Sequence, residues 1–212
     1  MNGAASMTTA LPYLKQFDLS GQVALVTGSA RGLGLCIARA LAGSGARVLI
    51  NGRNAQAVDA TVAGLRADGL DAHPLVFDVS NDAALAQAFE RIDREHGRLD
   101  ILVNNVGARN RKTLADTSAA EIRELIDTDL VAGILLAKLA AERMVRQGSG
   151  RLIAITSVVG ELARAGDAVY PAAKQGLTGL VRALAAEFGG RGITSNAIAP
   201  GTFATETNAA MV

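Results

Sequence analysis

The stretch Val23-Ala-Leu-Val-Thr-Gly28, continued by Ser29-Ala-Arg-Gly32-Leu33-Gly34 and an apolar run from Leu35 to Leu41, decides the fold. A short apolar strand that empties into glycines and restarts as a helix aims unpaired backbone N–H groups at one point, and that point suits a phosphate. Glycine serves there because a Cβ would hold the backbone away from a pyrophosphate and because the turn needs φ values that other residues resist. The glycines fall at 28, 32 and 34, off the G-x-G-x-x-G spacing. On this stretch alone, a tight turn without a ligand stands nearly level with a dinucleotide turn.

Composition frames the reading. The chain has 212 residues, 50% of them hydrophobic and 19% charged, which suits one domain with a large core. Basic residues (21) nearly balance acidic ones (20), so charge gives no reason to expect a nucleic-acid or membrane partner. Cys36, the single cysteine, excludes an internal disulfide and, among apolar neighbours, is expected to be a small core residue. His73 and His96 are far apart in sequence and lack clustered Cys or Asp partners, so neither a metal site nor a Ser-His-Asp triad is expected. Met1 to Lys15 lacks a charged segment followed by a long apolar stretch, and a cytoplasmic location is expected.

Outward from the opening turn, strand-like and helix-like stretches alternate. Strands are expected at Arg47 to Asn51, Ala72 to Phe77, Leu99 to Val103, Arg151 to Thr156 and Ile193 to Ile198. Helices are expected at Ala55 to Ala67, at Asn81 to His96, from the capping box Ser118-Ala-Ala-Glu121 to about Gln147, and from about Ala168 to Phe188. This order predicts an α/β fold, a single doubly wound domain whose parallel sheet carries helices on both faces and takes ligands at the carboxyl ends of its strands. The division expected is an N-terminal extension over 1–20 and the domain over 21–212. Leu130 to Ala137 is apolar or glycine throughout, and the last helix sets Ala172, Gly176, Gly179 and Ala183 beside large apolar residues. Helices apolar on more than one face are buried on more than one face, which predicts a homodimer or homotetramer.

Tyr170 and Lys174, four apart, share one face of the last helix, so the ammonium is expected to favour the phenolate and lower the tyrosine pKa. Ser157 lies just past a strand's carboxyl end, where its hydroxyl reaches a carbonyl oxygen. Taken singly, each is equally an ordinary surface pair or turn residue.

Together these residues resemble the classical short-chain dehydrogenase/reductase family over nearly the whole chain. Thr27-Gly-Ser-Ala-Arg-Gly-Leu-Gly34 matches its cofactor turn, Asp78-Val79 its adenine-side pair and Asn104-Asn-Val-Gly107 its NNAG segment with one change. Ser157, Tyr170-x-x-x-Lys174 and Pro200-Gly201 match its catalytic core. Within the family, Phe17-Asp-Leu-Ser-Gly21, Asn51-Gly-Arg-Asn54 and Asn196 to Asn208 are most similar to the gluconate 5-dehydrogenase type. The resemblance implies a Rossmann-type domain and an oxidoreductase that moves a hydride between nicotinamide and a secondary alcohol or ketone, on a polyol or a sugar acid such as gluconate/5-ketogluconate. It implies that Tyr170 is the acid/base, Ser157 polarises the substrate oxygen, Lys174 binds the ribose hydroxyls, and Thr205 touches the nicotinamide amide. Gly28, Ser29, Arg31, Gly32, Leu33, Gly34, Asp78, Val79, Asn105, Gly107, Pro200 and Gly201 complete the implied cofactor site. A 3-oxoacyl thioester reductase and a cofactor-binding homologue without turnover stay open as alternatives.

Cofactor choice is addressed at the end of the second strand. NAD-preferring members of the fold carry an acid there that binds the adenosine ribose and repels a 2′-phosphate; here Gly52 stands in its place, followed by Arg53, with Arg31 on the same side. Two guanidiniums beside a missing acid predict NADP(H), with NAD(H) as second choice. Two features depart from the family. Asp129 stands where it has a catalytic asparagine that holds a relay water; it shares a face with Ile122, Ile126 and Gly133, so it is expected inside, paired with Lys174. The family also continues past its Pro-Gly segment into a helical lid and a last strand, which a chain stopping at Val212 is expected to lack.

Overall fold

Strand β1 (Val23–Val26) is buried at every position in the computed structural model, which describes residues 12–162 and 165–203. Its side chains alternate between two apolar layers: Val23 and Leu25 join one, Ala24 and Val26 the other. Flanking it are β2 (Arg47–Gly52), β3 (Ala72–Val76), β4 (Ile101–Asn104), β5 (Gly150–Ile155) and β6 (Ile193–Ile198), in the order β3-β2-β1-β4-β5-β6. Every pairing is parallel. Parallel neighbours require crossovers, and burial of both sheet faces requires that those crossovers be helices with an apolar stripe. The helices are α1 (Gly32–Gly43), α2 (Ala55–Ala67), α3 (Asp82–His96), α4 (Ala119–Ile126), α5 (Ala132–Gln147) and α6 (Val169–Phe188).

Local chemistry sets the ends. The Asn54 and Asn81 side chains accept from the Ala57 and Ala84 N–H groups and start α2 and α3. The expected capping box forms at Ser118 and Glu121, and Gly97 and Gly148, each at φ +71°, end α3 and α5 in the left-handed conformation. The expected long helix from 118 to 147 is interrupted: Asp127–Val131 is a π-helical turn between α4 and α5. Such a turn adds a residue to the helical register and so turns a different set of side chains inward.

Two expectations are corrected. Cys36 is exposed, not in the core, because α1 buries the face carrying Gly34, Ala38 and Ala42 and Cys36 points away from it. The two histidines, remote in sequence, meet where β3 begins and α3 ends: their ring centroids lie 5.3 Å apart and His73 Nε2 is 2.7 Å from Asp71 Oδ1. His96 is pushed down by burial and by neighbouring positive charge. Among the described residues no group of three or more potential ligands could hold a metal ion, and no helix is long and apolar enough to cross a membrane.

The small residues of α6 differ in what they meet. Gly176 serves packing within the chain, since a Cβ there would lie 2.8 Å from Leu130 Cδ2, whereas a Cβ on Gly179 meets nothing within 4 Å. Gly176→Ala should therefore cost about 1–3 kcal/mol of unfolding free energy by overpacking, and Gly179→Ala should be neutral or stabilising. Urea unfolding of the two variants checks this, and equal midpoints would contradict the packing.

Candidate active site

The carboxyl ends of β1, β4 and β5 meet on either side of the point where strand order reverses, which is where a doubly wound sheet opens a crevice. The glycine turn forms one wall. Gly28 and Gly32 take φ values of +61° and +58°, and a Cβ on Gly34 would collide with the carbonyl oxygen of Gly28. The helix N-terminus therefore comes as close to the strand as backbone allows.

Polar groups lock this wall to β4. Thr27 Oγ1 accepts from the N–H groups of Asn105 (2.9 Å) and Val106 (3.2 Å), and the Asn105 amide donates back to the carbonyls of Thr27 and Gly28. Ser29 is buried: its hydroxyl donates to Val26 O (2.7 Å) and accepts from Asn51 N–H (3.0 Å). Asn51, which sequence reasoning missed, accepts from Gly28 N–H (3.1 Å) while its amide donates to the carbonyls of Leu75 and Phe77. A buried asparagine closing the apolar run Val48-Leu-Ile was the available signal. Leu33 is half-buried and Arg31 exposed on the same turn. Past β2 the Arg53 side chain is 81% exposed, with Nη1 3.7 Å from Asp78 Oδ2. Asp78 Oδ1 accepts from Ser80 N–H, and Val79 is buried beside it.

The second wall carries the polar constellation. Ser157, just past β5, accepts from Val159 N–H (3.3 Å) and stands near enough to Tyr170, the second residue of α6, to draw its phenol pKa down. The nearby Pro200 carbonyl accepts from Val158 N–H (3.2 Å), and Gly201 follows it, exposed. Thr205 lies outside the described residues. Lys174, one helical turn after Tyr170, is 3% exposed, with Nζ 3.6 Å from Asp129 Oδ2 and donating to Val106 O (3.4 Å) and Ile155 O (3.3 Å). The other Asp129 oxygen accepts from Ala108 N–H. Gly107 makes room for the pair, because a Cβ there would lie 2.9 Å from Lys174 Nζ and 3.1 Å from Asp129 Oδ2.

Burial dominates the electrostatics. It pushes the Asp129 carboxyl up and the Lys174 ammonium down, and the attraction between the two opposes both shifts. Tyr170 corrects an expectation: its phenol is pushed above its ordinary value, first by burial, with the Ser157 hydrogen bond and the Arg109 charge pulling down and Asp129 and Asp167 pushing up. The lysine ammonium, 5.5 Å from the ring centroid, is turned to Asp129 and two carbonyls and does not overcome desolvation.

Arg109 and Asp167 were also missed. The Arg109 guanidinium carbon lies 4.9 Å from the Tyr170 ring centroid, and its Nε and Nη2 both rest on Asp167 Oδ2. The two residues are 58 apart in the chain, so only the fold brings them together. Two residues further along the loop, Arg111 is the one described non-glycine residue with positive φ (+50°).

Known proteins share this fold and much of the sequence. A family model for short chain dehydrogenase matches residues 22–212. The gluconate 5-dehydrogenase of Gluconobacter oxydans is 40% identical over 196 residues, covering 92% of this chain and 77% of that protein. A 3-oxoacyl-[acyl-carrier-protein] reductase of Synechocystis is 39% identical over 189 residues, covering 89% and 76%. The crystal structure of a gluconate 5-dehydrogenase from Burkholderia cenocepacia in complex with NADP and tartrate superposes with a TM-score of 0.90 at 37% identity, covering 94% of this chain and 78% of that one. A match that begins one residue before β1 and runs to the last residue, joined to relatives this similar over most of their length, makes the chain a member of the short chain dehydrogenase family.

Proposed function

We propose that the protein transfers a hydride between NADP(H) and a secondary carbinol carbon of a small polyol or sugar acid, the latter of the gluconate/5-ketogluconate kind. The observation that carries this reading is the gathering of Ser157, Tyr170 and Lys174 at the carboxyl end of β5, across the crevice from the glycine turn. In this reading Tyr170 holds the proton exchanged with the substrate oxygen, Ser157 orients that oxygen, and Lys174 meets the ribose hydroxyls. Asp129 secures Lys174. The residues present fit a dinucleotide: Gly28 and Gly32 take positive φ and Gly34 lets the start of α1 close on Gly28, which suits the helix N-terminus to a pyrophosphate, and we assign the rest of the cofactor to Asp78, Val79, Asn105, Gly107, Pro200 and Gly201, with Thr205 beyond the described residues. The nicotinamide, when bound, supplies or takes the hydride. A phenol kept protonated by burial is suited to donating in the reductive direction.

The Gluconobacter and Burkholderia relatives, both gluconate 5-dehydrogenases, support the sugar-acid substrate, and the Synechocystis relative keeps a 3-oxoacyl thioester as the second reading. Turnover of gluconate, neutral polyols, simple ketones and a 3-oxoacyl thioester with NADP(H) separates the two. A homologue without turnover is disfavoured by the intact Ser157, Tyr170 and Lys174. The proposal extends to a catalytic unit over 21–212 after an N-terminal extension over 1–20, to a cytoplasmic location and to a homodimer or homotetramer. Val131 and Ile134, apolar and 39% and 40% exposed on one stretch, support self-association.

Three substitutions test the roles. Tyr170→Phe removes only the exchanged proton and should lower kcat by about 100-fold or more while NADPH affinity holds; residual turnover near the wild-type rate defeats the mechanism. Asp129→Asn removes a charge that holds the tyrosine proton on, so the rising limb of the oxidation pH profile should move to lower pH with activity equal or higher. An alkaline shift or a large loss would show that the carboxylate itself is needed. Arg53→Ala should weaken NADPH binding by about 1.5–3 kcal/mol, roughly tenfold or more, and leave NADH nearly unchanged. Equal weakening of both cofactors would remove the 2′-phosphate from this turn.

A further inference from the structure

The reacting phenol has a second ion pair beside it besides Lys174 and Asp129. Arg109 stands over the Tyr170 ring, and its Nε and Nη2 share a single oxygen of Asp167. Asp167 is 4% exposed and its other oxygen has no hydrogen-bond partner, so the carboxylate is set deep and is tolerated there through its pairing with the guanidinium. The Arg109 side chain is 26% exposed and stands 4.9 Å from the Tyr170 ring centroid. Around Tyr170, therefore, two cations face two buried carboxylates: Lys174 is matched by Asp129, and Arg109 by Asp167.

This balance bears on the substrate. A guanidinium grips a carboxylate through two parallel N–H donors, and the Nε and Nη2 donors of Arg109 are already engaged. An arriving carboxylate must shed its hydration and gains no net attraction from a neutralised pair in return. An uncharged hydroxyl chain costs less to desolvate and still finds the remaining guanidinium N–H groups as donors. We propose that Asp167 is a specificity-determining residue: by neutralising Arg109 beside Tyr170, it makes the site select an uncharged polyhydroxylated chain over its carboxylate counterpart. The inference rests on the secondary-alcohol reading above and divides the polyol from the sugar acid within it.

D-Gluconate and D-glucitol, which differ at C1 by a carboxylate against a carbinol, are the probes. Their dissociation constants are measured by calorimetry at low salt on the NADP⁺ complexes, all in the Tyr170→Phe background so that neither probe is oxidised, of the otherwise unaltered chain (the wild type below), Asp167→Asn, Asp167→Ser, Arg109→Met and the Asp167→Asn/Arg109→Met double variant. Asp167→Asn keeps the side-chain volume, and Asp167→Ser removes the charge by a different route should the first fail to fold. The wild type should bind glucitol at least as tightly as gluconate. Loss of the Asp167 charge should tighten gluconate by about tenfold or more and leave glucitol within about twofold, and the gain should vanish when Arg109 is also removed. Gluconate binding that is unchanged or weaker without Asp167, a gain that survives the loss of Arg109, or a wild type that prefers gluconate overturns the proposal. Failure of the underlying functional reading registers separately, as an absence of turnover of every secondary alcohol while the binding differences persist.

Discussion

A lysine that is 3% exposed is the constraint on which the site depends. An ammonium withdrawn from water must be surrounded by acceptors, and Lys174 finds Asp129, Val106 O and Ile155 O. Each acceptor comes from a different element: the π-helical turn, the loop after β4 and the end of β5. Burying one charge thus ties α6 to three separate pieces of chain. Gly107 belongs to the same constraint, since a side chain there would enter the space that the ammonium and the carboxylate occupy. Glycine is required at that position for close approach and not for its φ.

The same low-polarity setting decides the behaviour of Tyr170. Two cations stand near the ring, at 4.9 and 5.5 Å, yet the phenol is pushed up, because burial penalises the phenolate and because each cation is paired with a carboxylate of its own. Proximity of a positive charge does not by itself lower a tyrosine pKa. What matters is how much of that charge is left after its nearest partner has been counted.

This marks where the sequence is legible. The succession of strands and helices, the glycine turn, the capping box at Ser118 and the Tyr170-Lys174 face follow from local patterns, each read within a handful of residues. Asn51, Arg109 and Asp167 were not legible, because their partners at Gly28, Tyr170 and each other lie across the fold and no short spacing announces them. The pKa of Tyr170 was misjudged for the same reason: the i, i+4 ammonium is visible in the sequence, while the burial and the competing carboxylates are products of tertiary structure. Cys36 failed differently. Its apolar neighbours suggested the core, but α1 is a helix with a narrow buried face, and position 36 lies off it.

The π-helical turn explains how one segment serves both packing and chemistry. An uninterrupted helix from 119 to 147 would keep a single rotational register on both sides of residue 129. With the widened turn at Asp127–Val131, Asp129 faces Lys174 while its neighbour Leu130 still packs against Gly176 of α6. Adjacent residues on a regular helix point about 100° apart, so both meeting the same neighbouring helix requires it to approach closely. Gly176 permits that approach by offering no side chain where Leu130 arrives. Gly176 of α6 is thus part of what holds the carboxylate against the lysine. Packing and site geometry depend on one local departure from helical regularity.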